Sequence, residues 1–189
     1  MLDTLITSKT RIKLLLKFFL NVNASSYLRA LEVEFDESSN SIRLELNRFE
    51  KAGLLKSAFQ TNKKIFIANS EHPLYHDIHN ILLKYVGIDQ ILEKLINKLG
   101  NIKFVYLLGE FANGRDGKYI DLLIVGNDID HNYLLKLLEK TEKLINRKIR
   151  FQLFEEKKQI EYLKTIKDSE KLLLWEGWII YEAFASCYV

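Results

Sequence analysis

The hydrophobic period of the chain changes at Gly100. Before it, apolar residues mostly recur three and four positions apart, the spacing of one face of a helix. After it, the apolar runs Phe104-Val105-Tyr106-Leu107-Leu108 and Ile120 to Val125 flank a glycine-rich loop from Gly109 to Gly117, which reads as strand, loop, strand. The 189 residues suffice for one ordinary domain or two small ones. Apolar residues at 48% and charged residues at 28% exclude a disordered tail or a repetitive fibre. The one cysteine, Cys187, cannot close an internal disulfide or build a multi-thiolate metal site, which implies a reducing compartment. The start of the chain lacks the pattern of a signal peptide. The most apolar stretch, Leu172 to Val189, is broken by Glu176, Gly177 and Glu182, so a cytoplasmic protein without a membrane partner is expected.

The amino-terminal third has its own grammar. Ser8 precedes a helix whose apolar positions are Ile12, Leu15, Leu16, Phe19 and Leu20. A short second helix is expected after the cap candidate Ser25, with Leu28, Leu31 and Phe35 on one stripe. Asp36-Glu37-Ser38-Ser39 then breaks the pattern. A third helix runs from Ser39 or Asn40 to Ala52, burying Ile42, Leu46 and Phe49 and stopping at Gly53. Leu54 to Phe59 and Lys64 to Ala68, around Gln60-Thr61-Asn62-Lys63, form a hairpin. A helical pattern from Leu74 to Leu99, with Gly87 inside it, is one kinked helix or two. Beyond the two strands, a helix from Asp130 to Asn146, a strand from Lys148 to Phe154 and a helix from Glu155 to Lys167 complete an α/β unit.

Charge follows the same division. The net charge of +3 splits at residue 70 into 11 Lys/Arg against 7 Asp/Glu before it and 17 against 18 after it, that is +4 and −1. A polyanionic partner is favoured for the first part.

Helix, helix, tight turn, helix and a basic-tipped hairpin, with Ser39 to Leu55 as recognition helix and first wing strand, resemble the winged helix-turn-helix regulators of the arsenic-repressor-like and antibiotic-resistance-regulator-like groups over residues 5 to 70. The resemblance implies a transcriptional regulator that binds double-stranded DNA as a homodimer, since one recognition helix spans only a few base pairs. On the residues themselves, burying Ile42, Leu46 and Phe49 turns Asn40, Arg43, Leu44 and Asn47 to the opposite side. Asparagine can pair with adenine and arginine with guanine, while Ser39, Ser41 and the helix N-terminus suit phosphate. Thr61, Asn62, Lys63 and Lys64 would set the hairpin tip against backbone or minor groove. Leu44 stands where such regulators often carry a second arginine, and the acids Asp36 and Glu37 occupy the turn and weaken attraction to phosphate.

Leu107-Leu108-Gly109-Glu110 and Tyr119-Ile120-Asp121, within residues 101 to 155, resemble the core of the polymerase-β-like minimal nucleotidyltransferases. The matched positions put Glu110 in place of the phosphate-binding serine and Tyr119 in place of the first metal-binding aspartate, leaving Asp121 as the second. Two-metal transfer needs clustered carboxylates. The strand from Ile149 to Phe154 offers Arg150 and the neutral Gln152 instead. Glu110 would repel a phosphate charge about 4 Å away by about 4 kcal/mol at an effective dielectric near 20. The expectation is a degenerate nucleotide site at Gly109, Glu110, Tyr119 and Asp121, with no catalytic residue, metal, cofactor, bound magnesium or nucleotide.

His72, His76 and His79 fall at helical spacing, and Trp175, Trp178, Tyr181, Phe184 and Tyr188 could line an apolar wall. The expected assignments are partly exposed histidines and core or dimer face, respectively. The expected fold class is thus α+β: a winged helix-turn-helix at 1–70, a helical connector at 71–100 and an α/β nucleotidyltransferase-like domain at 101–189. An active nucleotidyltransferase and an antitoxin-like protein-interaction scaffold are the alternatives.

Overall fold

A computed structural model describes residues 2–99, 101–167 and 170–177, apart from the side chains of residues 3, 157, 158 and 160. It contains helices and two sheets, packed as two units. One comprises residues 1–86 with 113–116, the other residues 87–112 with 117–189. The helical segment 71–100 is therefore shared between the units, dividing at Gly87. No described helix is long and apolar enough to cross a membrane.

In the first unit, α1 (Leu2–Leu5) precedes α2 (Lys9–Leu15), whose Arg11 amide donates to the Ser8 side chain at 3.2 Å. The helix then widens into a π-helical turn, Leu16–Leu20, where Leu16, Phe18, Phe19 and Leu20 are fully buried and Lys17 nearly so. A turn that is apolar on nearly every side must be covered all round. Part of that cover is the segment Asn113–Asp116. Gly114 lies so close that a Cβ there would stand 2.4 Å from the Lys17 Cα and 2.7 Å from the Leu16 carbonyl oxygen. The Lys17 side chain is 11% exposed, its ammonium reaches Glu34 Oε1 at 2.8 Å and the Asn113 carbonyl at 3.1 Å, and Arg115 Nε joins the same carboxylate oxygen at 3.0 Å.

The expected cap at Ser25 is corrected by the sheet. Ser25 and Ser26 form the short strand β1, paired with Ile67 and Phe66, and α3 (Leu28–Phe35) begins after the extended Tyr27 without a side-chain cap. A backbone ladder takes these serines in place of the local turn they favour alone. A tight turn through Asp36, in the left-handed region at φ 52°, leads to α4 (Ser39–Lys51), capped by Ser38. Strands β2 (Leu55–Gln60) and β3 (Lys63–Ala68) form a hairpin around Thr61-Asn62, and the sheet order is β1–β3–β2, all antiparallel. Ile42, Leu46 and Phe49 of α4 are buried together with Leu14 and Leu31.

Helix α5 (Tyr75–Val86) follows, and the three histidines before and within it are exposed or half-buried. His72 lies before the helix and its Nδ1 accepts from the Leu74 amide, so it does not share a helical face with the others. His79 is turned to the π-helical turn, where its Nδ1 lies 2.7 Å from the Phe19 carbonyl oxygen and therefore carries the proton. No three described His, Cys, Asp or Glu residues could hold a metal ion. Burial pushes the His79 imidazole below its ordinary 6.5, outweighing the Phe19 bond that raises it, and the charge of His76 adds to the lowering. The folded chain thus binds fewer protons here than the unfolded chain just below pH 6.5. Stability is full above that pH and falls as pH drops toward the lowered folded value, by at most about 1.4 kcal/mol per pH unit. Urea melts at pH 7.5, 6.5 and 5.5 should show this loss, and His79→Gln should flatten it.

The second unit starts with α6 (Ile88–Leu99) and continues through β4 (Ile102–Leu108), the single turn α7 (Gly109–Ala112), β5 (Tyr119–Gly126), α8 (His131–Ile145), β6 (Lys148–Phe154), α9 (Glu156–Thr165) and β7 (Lys171–Glu176). The sheet order is β6–β5–β4–β7, with β5 and β6 parallel and the other pairs antiparallel. Val105, Leu107, Ile120 and Leu122 to Val125 are buried, as the apolar runs require for central strands, and α6 packs on α8. Part of the apolar end, left without an assigned element by its periodicity, is thus strand β7. Trp178, Tyr181, Phe184, Cys187 and Tyr188 lie outside the described residues.

Candidate functional site

The exposed face of α4 carries one group of expected residues. Asn40, Ser41, Arg43, Leu44 and Asn47 are all exposed and Ser39 is half-buried, because the helical period that buries Ile42, Leu46 and Phe49 leaves these positions outside. The Ser38 hydroxyl accepts from the Ser41 amide at 3.3 Å and pairs with its hydroxyl at 2.9 Å, so Ser41 is partly used by the cap. The acids of the turn differ. Asp36 is exposed, whereas Glu37 bonds Thr10 and meets Lys13 at 2.7 Å. Burial alone would raise the Glu37 carboxyl, but Lys13 and Thr10 hold it below the usual carboxylate range.

Sequence reasoning missed Glu45, a buried carboxylate on α4. It accepts from Arg11 at 2.9 and 3.1 Å and from Arg48 at 2.7 Å. Burial pushes its carboxyl up, and the two guanidiniums more than reverse that. Two arginines sharing one carboxylate leave one net positive charge beside the exposed face. The i, i+3 spacing of Glu45 and Arg48 was the available signal.

The hairpin residues are more constrained than a free basic tip. Thr61, at φ 54°, and Asn62 are exposed at the turn. The Lys64 ammonium donates to Glu50 of α4 at 2.7 Å and lies 5.1 Å from the Phe66 ring centre. Lys63 stands 4.4 Å above the Tyr27 ring, and Phe59 is 77% exposed. Among the described residues, Arg43 enters no ion pair, so it is the cation of this group best placed for an outside partner.

In the second unit, strand pairing assembles the other group. Antiparallel register sets Leu108 opposite Asp121, and parallel register sets Asp121 beside Arg150. Gly109 follows at φ 66°, and a Cβ there would lie 2.6 Å from Asp121 Oδ2, which only glycine avoids. The Arg150 guanidinium grips Asp121 bidentately, Nε to Oδ1 at 2.6 Å and Nη2 to Oδ2 at 2.8 Å. It also lies 4.5 Å over the ring of Tyr119, so three neighbouring side chains form one stack. The hydrogen bond to Asp121, above all, raises the guanidinium further above its ordinary value, and the charge of Glu110 contributes. Glu110 is exposed and its carboxylate points to Gly117, where a Cβ would lie 2.4 Å from Oε2. A cation fixed by two hydrogen bonds thus occupies both oxygens of the aspartate at which the sequence pattern would set a metal ion. The sequence named Arg150 only as a missing carboxylate and did not show that it would turn onto Asp121.

No protein-family model matches this chain, and no curated protein matches it. Among solved structures, a mutant of the toxin-antitoxin pair MntA-HpeT is similar at 17% identity over 48% of this chain and 73% of that one, with a TM-score of 0.39. The toxin-antitoxin with AMP-PNP gives 17% identity, the same coverage and a TM-score of 0.38. A candidate nucleotidyltransferase from Sulfolobus solfataricus gives 20% identity over 52% of this chain and 83% of that one, with a TM-score of 0.36. These neighbours are similar over about half of this chain, and at such low scores they say nothing of what its sites do.

Proposed function

We propose that this chain is a cytoplasmic DNA-binding transcriptional regulator, acting as a homodimer, whose first unit is a winged helix-turn-helix and whose second unit is nucleotidyltransferase-like without catalysis. The observation that carries DNA recognition is the face of α4: Asn40, Arg43 and Asn47 stand exposed behind a buried seam of Ile42, Leu46 and Phe49. Side chains that hydrogen-bond base edges are held on a rigid helix, as major-groove reading requires. The helices α2 and α3 and the β2–β3 hairpin supply the order of elements of a winged helix, and Glu37, neutralised by Lys13, repels phosphate less than its sequence position suggests. The absence of catalysis is supported by Arg150, which neutralises the surviving aspartate. With no magnesium or nucleotide required, no cofactor belongs to this function.

Selection of the purified chain against random duplex DNA, followed by fluorescence anisotropy on the enriched sequence, tests it. A two-fold repeated motif is expected. Arg43→Ala should weaken binding by about 10- to 100-fold and relax preference at one position. Lys63→Ala should weaken binding evenly across sequences and reduce the salt slope by about 1, whereas Lys64→Ala should do less because Glu50 already balances it. No enrichment, or equal affinity for wild type and Arg43→Ala, would remove DNA reading from α4.

A further inference from the structure

We propose, resting on the DNA-binding reading of this chain, that Phe59 is an apolar wedge. The β2–β3 hairpin inserts it between two stacked base pairs of the minor groove, beside the major groove that α4 enters. Phe59 thereby makes affinity depend on how easily one base step of the duplex unstacks.

Strand alternation places the ring. Side chains two positions apart on a strand share a face, so Ser57 and Phe59 lie on one side of the hairpin with their cross-strand partners Phe66 and Lys64. That side is turned to α4, because the Ser57 hydroxyl donates to Glu50 Oε1 and the Lys64 ammonium donates to Glu50 Oε2 at 2.7 Å. Glu50 follows Arg43 by seven residues and Asn47 by three, which sets all three on neighbouring rows of the helix. The side of the hairpin that carries Phe59 therefore continues the side of α4 that carries the proposed base-contacting residues.

Cover falls away along this side toward the turn. Phe66 is buried, Ser57 is half-buried and Phe59 is 77% exposed. At about 3.3 Å per residue, Phe59 stands about 7 Å beyond Ser57 and past the contact with Glu50. A single exposed apolar residue is ordinary on a protein surface. This one stands at a basic tip: Lys64 lies directly across the ladder, and Lys63 forms the next pair with Gln60. A backbone drawn to these cations brings its groove to the ring.

A wedge must also resist bending. The hairpin is braced by Glu50 on one side and, on the other, by Tyr27, whose ring centre lies 4.4 Å from the Lys63 ammonium. Two residues, Thr61 and Asn62, close the turn and leave no slack. Phenylalanine is one of the side chains that part base steps, and pyrimidine–purine steps part most readily.

The enriched duplex, carrying 2-aminopurine at each position flanking the α4 contacts in turn, tests this by fluorescence. Bound wild type should raise the emission several-fold at one position per half-site, within or beside a pyrimidine–purine step. Phe59→Ala should abolish that rise and weaken binding about tenfold, with the salt slope unchanged because an apolar contact releases no counterions. Phe59→Leu should keep most of the rise. The residue is exposed, so both variants should fold, as circular dichroism would verify. Saturable wild-type binding without an emission change, or equal affinity for wild type and Phe59→Ala, would overturn the wedge and leave DNA reading by α4 standing. Failure of wild type to bind any duplex would overturn both.

Discussion

Replacing Gly114 with alanine should lower the thermal midpoint of the chain by about 6 to 12 °C, for a loss of about 3 kcal/mol. Two costs combine. Alanine must adopt φ 72°, where its Cβ is strained, and that Cβ would fall 2.4 Å from the Lys17 Cα and within 2.8 Å of two backbone oxygens. Main chain inside a fully buried turn cannot step aside as a side-chain tip can. Gly117→Ala is the comparison: its Cβ would meet the flexible end of Glu110, which is exposed and can rotate away, so the loss should stay below about 1 kcal/mol. Equal midpoints for the two variants would show that segment 113–116 does not cover the π-helical turn as described.

The ion pair beneath that segment yields the second large effect. Glu34→Ala should destabilise the chain by about 3 kcal/mol, because Lys17 would be left buried with the Asn113 carbonyl as its remaining described partner. Lys17→Met should cost less, about 1 kcal/mol, since Glu34 keeps Arg115, which is half-exposed and still partly hydrated. The double variant Lys17→Met, Glu34→Leu should recover most of the loss, because it removes both desolvated charges. Denaturant melts of the three variants form the cycle. If the double variant loses as much as the sum of the two singles, the charges do not compensate one another.

What the sequence revealed depended on whether a feature is local. The seam of Ile42, Leu46 and Phe49 and the exposure of Asn40, Arg43 and Asn47 follow from a period of 3.6, and the hairpin from its turn residues and β-branched arms. The glycine-bounded apolar runs likewise mark β4 and β5. Ser25 was misread because a cap is a local preference, and its competitor, Ile67 of β3, lies 42 positions away. Arg150 was legible as a cation, but its grip on Asp121 depends on the parallel register of β5 and β6, which no spacing reveals. Lys64 and Glu50, 14 positions apart, belong to different elements, so the hairpin tip reads as more freely basic than it is.

The cover over the π-helical turn also has a consequence for synthesis on the ribosome. Helices, hairpin and most of the apolar interior of the first unit have emerged by residue 86, yet Asn113, Gly114 and Arg115 are still to come. Until they arrive, Lys17 and Glu34 remain open to water on one side. A nascent chain paused between those points would hold a nearly complete module that breathes at one spot, and a fragment ending at residue 86 would keep that weakness permanently.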